Sequence, residues 1–190
     1  MGNSLNVSKE WIAQVYLNAN GFKDTYNSLL NNVICNCCIS TSSNFLPPIV
    51  INGILAVELY LKFLVAMDKL EIDNQNATIE KIHKIDCLFC DLSCESQIEI
   101  LNLLKKENVL EREFYCFLTK NSDAFVEWRY PSNNDFDMDV ILLTKLLDVL
   151  NSFCYKRMVQ STSFENADFK NAYKIVIPDD FRKYLQERMK

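Results

Sequence analysis

The sequence predicts an all-α protein: an antiparallel up-and-down helical bundle with extra helices at its N-terminal and C-terminal ends. Three observations carry this. Glycine occurs 3 times and proline 4 times in 190 residues, too few for a turn-dense sandwich or barrel. Apolar residues make up 49% of the chain and charged residues 24%, enough to bury one core at this length. Most apolar residues also recur at helical spacing, so that each segment has one face to bury. No linker, repeat or low-complexity stretch divides the chain, and residues 1–190 are expected to form one domain with its core over about 47–158.

The elements follow in order. Trp11, Val15 and Ala19 set a helix over 8–20, which Gly21 is expected to end or kink. Phe22, Tyr26, Leu29, Leu30 and Val33 continue the period in a second segment. The small polar residues of 35–44 predict a loop. Pro47 and Pro48 suit the first turn of the next helix, which runs over 49–70. It is apolar on nearly every face and therefore central. Glu58 and Lys62 stand four apart on it in the favourable order for an ion pair.

Thr78 is expected to cap a helix whose seam is Ile82, Ile85, Phe89 and Leu92. Ser93 caps the next, with Glu95 in its first turn and Ile98, Leu101 and Leu104 as its stripe. Helices over 111–118 and 123–129 and a break at 131–134 come next. Asp135, Asp137 and Asp139 load the start of a last bundle helix, filled by Val140, Leu143, Leu147, Leu150 and Cys154. A connector over 161–171, a lone β-like run at 173–177 and a helix over 178–189 end the chain.

The same composition excludes function classes. Gly2, Gly21 and Gly53 cannot form a glycine-rich phosphate loop. A single histidine, His83, rules out any site that needs two. The net charge of −5 argues against a generic nucleic-acid coat, which needs clustered cations. Lys105-Lys106, Lys156-Arg157 and Arg182-Lys183 are local basic pairs, most simply read as helix C-terminal charges.

The start of the chain has no basic flank followed by an apolar run, so no secretory leader is expected, and the residue at position 6 is Asn6, which fails as a myristoylation signal. A cytoplasmic protein with reduced thiols is the expectation. Residues 45–67 are long and apolar enough to span a bilayer, but they carry Asn52, Glu58 and Lys62, and an ionic pair in mid-span is costly in lipid. No membrane is therefore expected.

The 8 cysteines invite a metal test. His83, Cys87, Cys90 and Cys94 fall at i, i+4, i+7 and i+11, one helical stripe, but residues seven apart on a helix are separated by about 10 Å along its axis. One ion cannot take the stripe, and Cys35, Cys37 and Cys38 make a poor second motif. Small buried thiols packing a helix interface are expected, with no metal and no cofactor.

Three segments taken together are more specific. They are Ala56-Val57-Glu58-Leu59-Tyr60-Leu61-Lys62, then His83-Lys84-Ile85-Asp86-Cys87-Leu88-Phe89, then Phe125-Val126-Glu127-Trp128-Arg129-Tyr130. Their order and spacing resemble HEPN-domain proteins, over about 47–158. The resemblance implies an α-helical bundle, a homodimer, and in many members a metal-independent ribonuclease of toxin–antitoxin, phage-defence or RNA-processing systems. It implies a catalytic arginine followed within four to six residues by a histidine at the dimer interface. This chain departs from that pattern: no histidine follows Arg112, Arg129 or Arg157.

Two readings stay open. In one, the chain is a HEPN-like binding, regulatory or dimerisation module without the standard activity, in which Glu58, Lys62, His83, Arg129 and Tyr130 form a polar network. Its partners would be a second copy, a partner protein, RNA or a nucleotide. In the other it is a divergent endoribonuclease whose catalytic residues are His83 and Arg129.

Overall fold

The computed structural model describes residues 4–36, 39–72, 78–80, 82–123 and 138–161; for 4–6, 36, 39–45 and 80 it describes the backbone. These residues form six helices, α1 (Lys9–Asn36), α2 (Ile39–Ile72), α3 (Ile85–Cys90), α4 (Cys94–Lys106), α5 (Glu111–Lys120) and α6 (Val140–Gln160). A two-stranded antiparallel ribbon joins β1 (Ser4–Asn6) to β2 (Thr78–Glu80), with Leu5 opposite Ile79. The protein is an all-α bundle, as its composition and periodicity require.

Helix α2 is its axis. Val50, Ala56, Val57, Tyr60, Phe63, Leu64 and Ala66 are all fully buried along it. The stretch Leu46–Ile72 is long and apolar enough to cross a membrane, yet most of it is enclosed by the bundle. Gly53 marks the closest approach of three helices: a Cβ there would lie 2.7 Å from Leu143 Cδ2 on α6 and 3.0 Å from Tyr26 Cδ2 on α1.

Side-chain pairs fix the helix directions. Tyr26 bonds Thr144 at 2.6 Å, and Lys23 pairs with Asp148 at 2.9 Å. Tyr60 donates to Asn20 at 2.7 Å, and Asn151 donates to both Asn20 (2.7 Å) and Tyr60 (2.9 Å). As α1 numbers fall, α2 and α6 numbers rise, so α1 is antiparallel to both. Helix α4 is antiparallel to α6, since Glu99 pairs with Lys156 (2.9 Å) and Lys145 donates to the Glu107 carbonyl (2.9 Å). Helices α2 and α6 themselves run parallel, because α3, α4 and α5 carry the chain back to the starting end.

Several local expectations are corrected. Gly21 neither ends nor kinks α1. A Cβ there would touch nothing within 4 Å, while Ala19 and Tyr26 on either side are 0% exposed. Burial on both sides outweighs the cost of about 1 kcal/mol for a glycine inside a helix. The expected loop over 35–44 is mostly helix: α1 runs to Asn36 and α2 starts at Ile39, with Pro47 and Pro48 inside it. The prolines leave the carbonyls of Ser43 and Asn44 without helical donors.

Thr78 caps no helix but pairs in β2. The predicted helix shrinks to the six residues of α3, and the seam survives in Ile85, Phe89 and Leu92, all buried. In α4, Ser93 Oγ accepts from the Ser96 amide at 3.2 Å as the expected cap, but Ile98 is 59% exposed. The buried stripe is instead Ser96, Ile100 and Leu104. Asp139 caps α6, its Oδ1 accepting from the Leu142 amide at 2.8 Å. The elements expected over 123–129, 131–134 and 161–189 lie outside the described residues, apart from single end residues.

Arg157, expected to serve the helix dipole, is a bridge. Its guanidinium reaches Asp68 Oδ1 at 2.9 Å, Ser96 Oγ at 3.0 Å and Glu71 at 2.8 Å. Asp68 is 6% exposed and also accepts from Ser96 Oγ (2.9 Å) and the Ser93 amide (2.8 Å). One carboxylate thereby ties α2 to α4 and α6.

Candidate functional site

Glu58 lies at the middle of α2 with its side chain 4% exposed. A carboxylate that deep needs partners. One helical turn on, Lys62 places Nζ 2.6 Å from Glu58 Oε1. From another part of the fold, His83 brings Nδ1 to within 2.9 Å of the same oxygen. Glu58 Oε2 is buried without a hydrogen-bond partner among the described residues.

The placement of His83 is local in origin. It sits in the extended stretch between β2 and α3, and the flanking Ile79 and Ile85 are 4% and 0% exposed. Both isoleucines anchor the backbone inward. The imidazole between them meets Glu58 on one side and remains 69% exposed on the other. A carboxylate only accepts, so Nδ1–H is the donor and Nε2 is the nitrogen turned outward. In the neutral ring that Nε2 is an acceptor. The arrangement can take a proton from a bound group or accept its hydrogen bond.

The structure thus brings together three of the residues singled out from the sequence, Glu58, Lys62 and His83. Arg129 and Tyr130 lie outside the described residues. Neither described arginine bonds to His83: Arg157 is spent on Asp68, and Arg112 stands on α5.

The cysteine stripe does not form. His83 precedes α3, which ends at Cys90, and Cys94 opens α4 after the turn at Asp91–Ser93. Cys87, Cys90 and Cys94 are exposed, not buried at a helix interface; of the described cysteines only Cys154 is buried, its thiol pushed well up by burial and set 3.7 Å from the Tyr60 carbonyl. No group of three metal-ligating side chains occurs among the described residues. Cys87 is no activated nucleophile beside His83, because partial desolvation and the Asp86 carboxylate push its thiol up. Burial also works against the Asp86 carboxylate, but hydrogen bonds from Ser122 and the Cys87 amide outweigh it and hold Asp86 below its usual value.

Sequence reasoning missed two features. The Asp68–Ser96–Arg157 cluster has no signature, since its members lie far apart in the chain. A cleft between α5 and α6, lined by Arg112, Cys116 and Lys120, left one trace: those residues recur every four positions. No family model matches the chain, and no curated protein or solved structure is found similar to it.

Proposed function

We propose that the chain is a HEPN-like helical module that works by binding, as a regulatory or dimerisation unit, and lacks the standard ribonuclease activity. The observation that carries this is the fate of its only histidine. His83 follows no arginine in sequence, and its Nδ1 is held by a buried glutamate that also holds Lys62. A histidine used in this way fixes the β2–α3 connection against the central helix, and buried polar networks of this kind specify packing. Partners of this module are a second copy of the chain, a partner protein, or RNA or a nucleotide, in a cytoplasmic defence or stress system. A chain that stays monomeric at high concentration by light scattering counts heavily against the dimerisation role.

A second reading is favoured by a specific observation, the 69% exposure of an imidazole anchored to a carboxylate by Nδ1. In it, His83 acts as general base on a ribose hydroxyl while Arg129 steadies the phosphate, in a metal-independent endoribonuclease. Incubation of the full chain with end-labelled RNA in EDTA separates the two. The binding reading expects no cleavage above buffer. Cleavage lost in both His83→Ala and Arg129→Ala overturns it in favour of the nuclease.

A further inference from the structure

Cys87 and Cys90 stand three residues apart on α3, and both are exposed. Helix geometry sets their Cα atoms about 5 Å apart and their Cβ atoms about 5–6 Å apart on one face. The backbone beneath them is held at both ends. The Cys87 amide donates to Asp86 Oδ1 at 2.8 Å, and the Cys87 carbonyl accepts from the Asp91 amide at 3.0 Å. The Cys90 carbonyl accepts from Gln97 Nε2 of α4 at 3.3 Å. On the opposite face Ile85, Leu88 and Phe89 are buried, and the Phe89 ring stands edge-on to Phe114 of α5 at 5.0 Å. A short helix pinned in this way presents two thiols at a fixed spacing.

That spacing selects the chemistry. A disulfide brings Cβ atoms to about 3.8 Å, so closing one here would pull the last turn of α3 out of shape. Metal–thiolate bonds of about 2.3 Å instead put two sulfurs roughly 4–5 Å apart across one ion. Rotation about χ1 brings these two sulfurs to that distance with the helix intact. No third metal-ligating side chain completes a set among the described residues, so the pair does not suit zinc, which takes four ligands. It suits a soft ion that is satisfied by two thiolates. The surrounding charges fit a cation. The Asp86 carboxylate works against a bare thiolate at Cys87 but attracts a positive ion placed there. Lys84, three residues before Cys87, favours the charged sulfur and offsets the net negative charge of a two-thiolate complex.

We propose that Cys87 and Cys90 form a two-coordinate site for a soft monovalent cation, Cu(I). Each thiol releases its proton to water and each sulfur forms one bond to the ion, so two protons leave and no electron is transferred. The site uses neither Glu58 nor His83, so it stands apart from both readings of the function.

Alkylation supplies the test. The intact, reduced chain is held without oxygen at a free Cu(I) level buffered by excess bicinchoninate, so that other thiols cannot deplete the ion. It is then treated with iodoacetamide and followed thiol by thiol by mass spectrometry. With free Cu(I) at about four times the dissociation constant, alkylation of a bound thiol slows ~5-fold. Cys87 and Cys90 are expected to slow together, while the exposed Cys94 and Cys116 keep their rates and Zn(II) protects neither member of the pair. Cys87→Ser should release Cys90, and Cys90→Ser should release Cys87; both positions are exposed, so each variant keeps its helical circular dichroism. Four results each overturn the proposal: no protection of the pair across the range that the chelator buffers, slowing of one of the two thiols without the other, equal protection by Zn(II), or protection of either thiol that survives loss of its neighbour.

Discussion

Glu58 and Asp68 are both buried carboxylates of α2, ten residues and about 15 Å apart along its axis, yet they end differently. Both oxygens of Asp68 are used, Oδ1 by Ser96 and Arg157 and Oδ2 by the Ser93 amide. Its partners belong to α4 and α6, and the cluster is closed. Glu58 places both partners on Oε1, and its Oε2 has none among the described residues. One of those partners is the exposed His83. A fully satisfied network reads as architecture, whereas a half-satisfied one that opens to the surface marks where a protein departs from the best packing for another purpose.

The strongest way to break the comparison is Arg157→Ala. It strands the Asp68 charge inside the bundle and is expected to cost about 3 kcal/mol in urea denaturation. A loss under 1 kcal/mol would show that the closed cluster is not structural.

Next come paired replacements. Lys62→Met alone leaves Glu58 with His83 only and should cost about 2 kcal/mol, while Glu58→Met/Lys62→Met should return to within about 1 kcal/mol of the parent. The matching Asp68→Leu/Arg157→Leu should stay about 2 kcal/mol below the parent, because the Ser93 amide and Ser96 hydroxyl lose their acceptor. Equal behaviour of the two pairs would erase the distinction between the sites.

The neutral network beside them sharpens the contrast. Tyr60, two residues from Glu58, has its ionisation pushed up by burial, despite its bond from Asn151, and burial also raises Tyr16 and Tyr26. A phenol whose value is raised on folding holds its proton more tightly in the folded state. Its contribution is complete below the unfolded value of 10.0 and is lost as pH rises from there through the raised folded value. Stability should therefore be level to about pH 10 and fall above it, with the tyrosinate absorbance of these three rings rising together with the loss of helix. Ionisation with the helices intact would contradict their burial.

The smallest effect is expected at His83. With its ring largely in water and Lys62 still holding Glu58, His83→Ala should cost about 1 kcal/mol, less than Lys62→Met. A cost above 2 kcal/mol would place the imidazole inside the structural core.

Much of this was legible in the sequence, and the rest for physical reasons was not. Long apolar periods gave α2 and α6, Ser93 announced its helix start through the chemistry of capping, and Asp139 did so through its negative charge. The i,i+4 spacing gave Glu58 with Lys62, and the expected polar network placed His83 with Glu58. Thr78–Glu80 could not be read as a strand, since three residues carry no period and their partner, Ser4–Asn6, lies far away at the start of the described chain. Gly21 misled because propensity is local, whereas the burial of Ala19 and Tyr26 depends on α2. The roles of Asp68 and Arg157 depend on two helices meeting, and no spacing along the chain records that.

The central claim is that Glu58 holds the only histidine by Nδ1 and turns Nε2 outward. Long-range 1H–15N correlation of the imidazole tests it directly, because a single histidine gives a single set of ring signals. The structure predicts that the neutral ring is protonated at Nδ1 and that Glu58→Leu releases it. A neutral ring protonated at Nε2, unchanged by Glu58→Leu, would contradict the account.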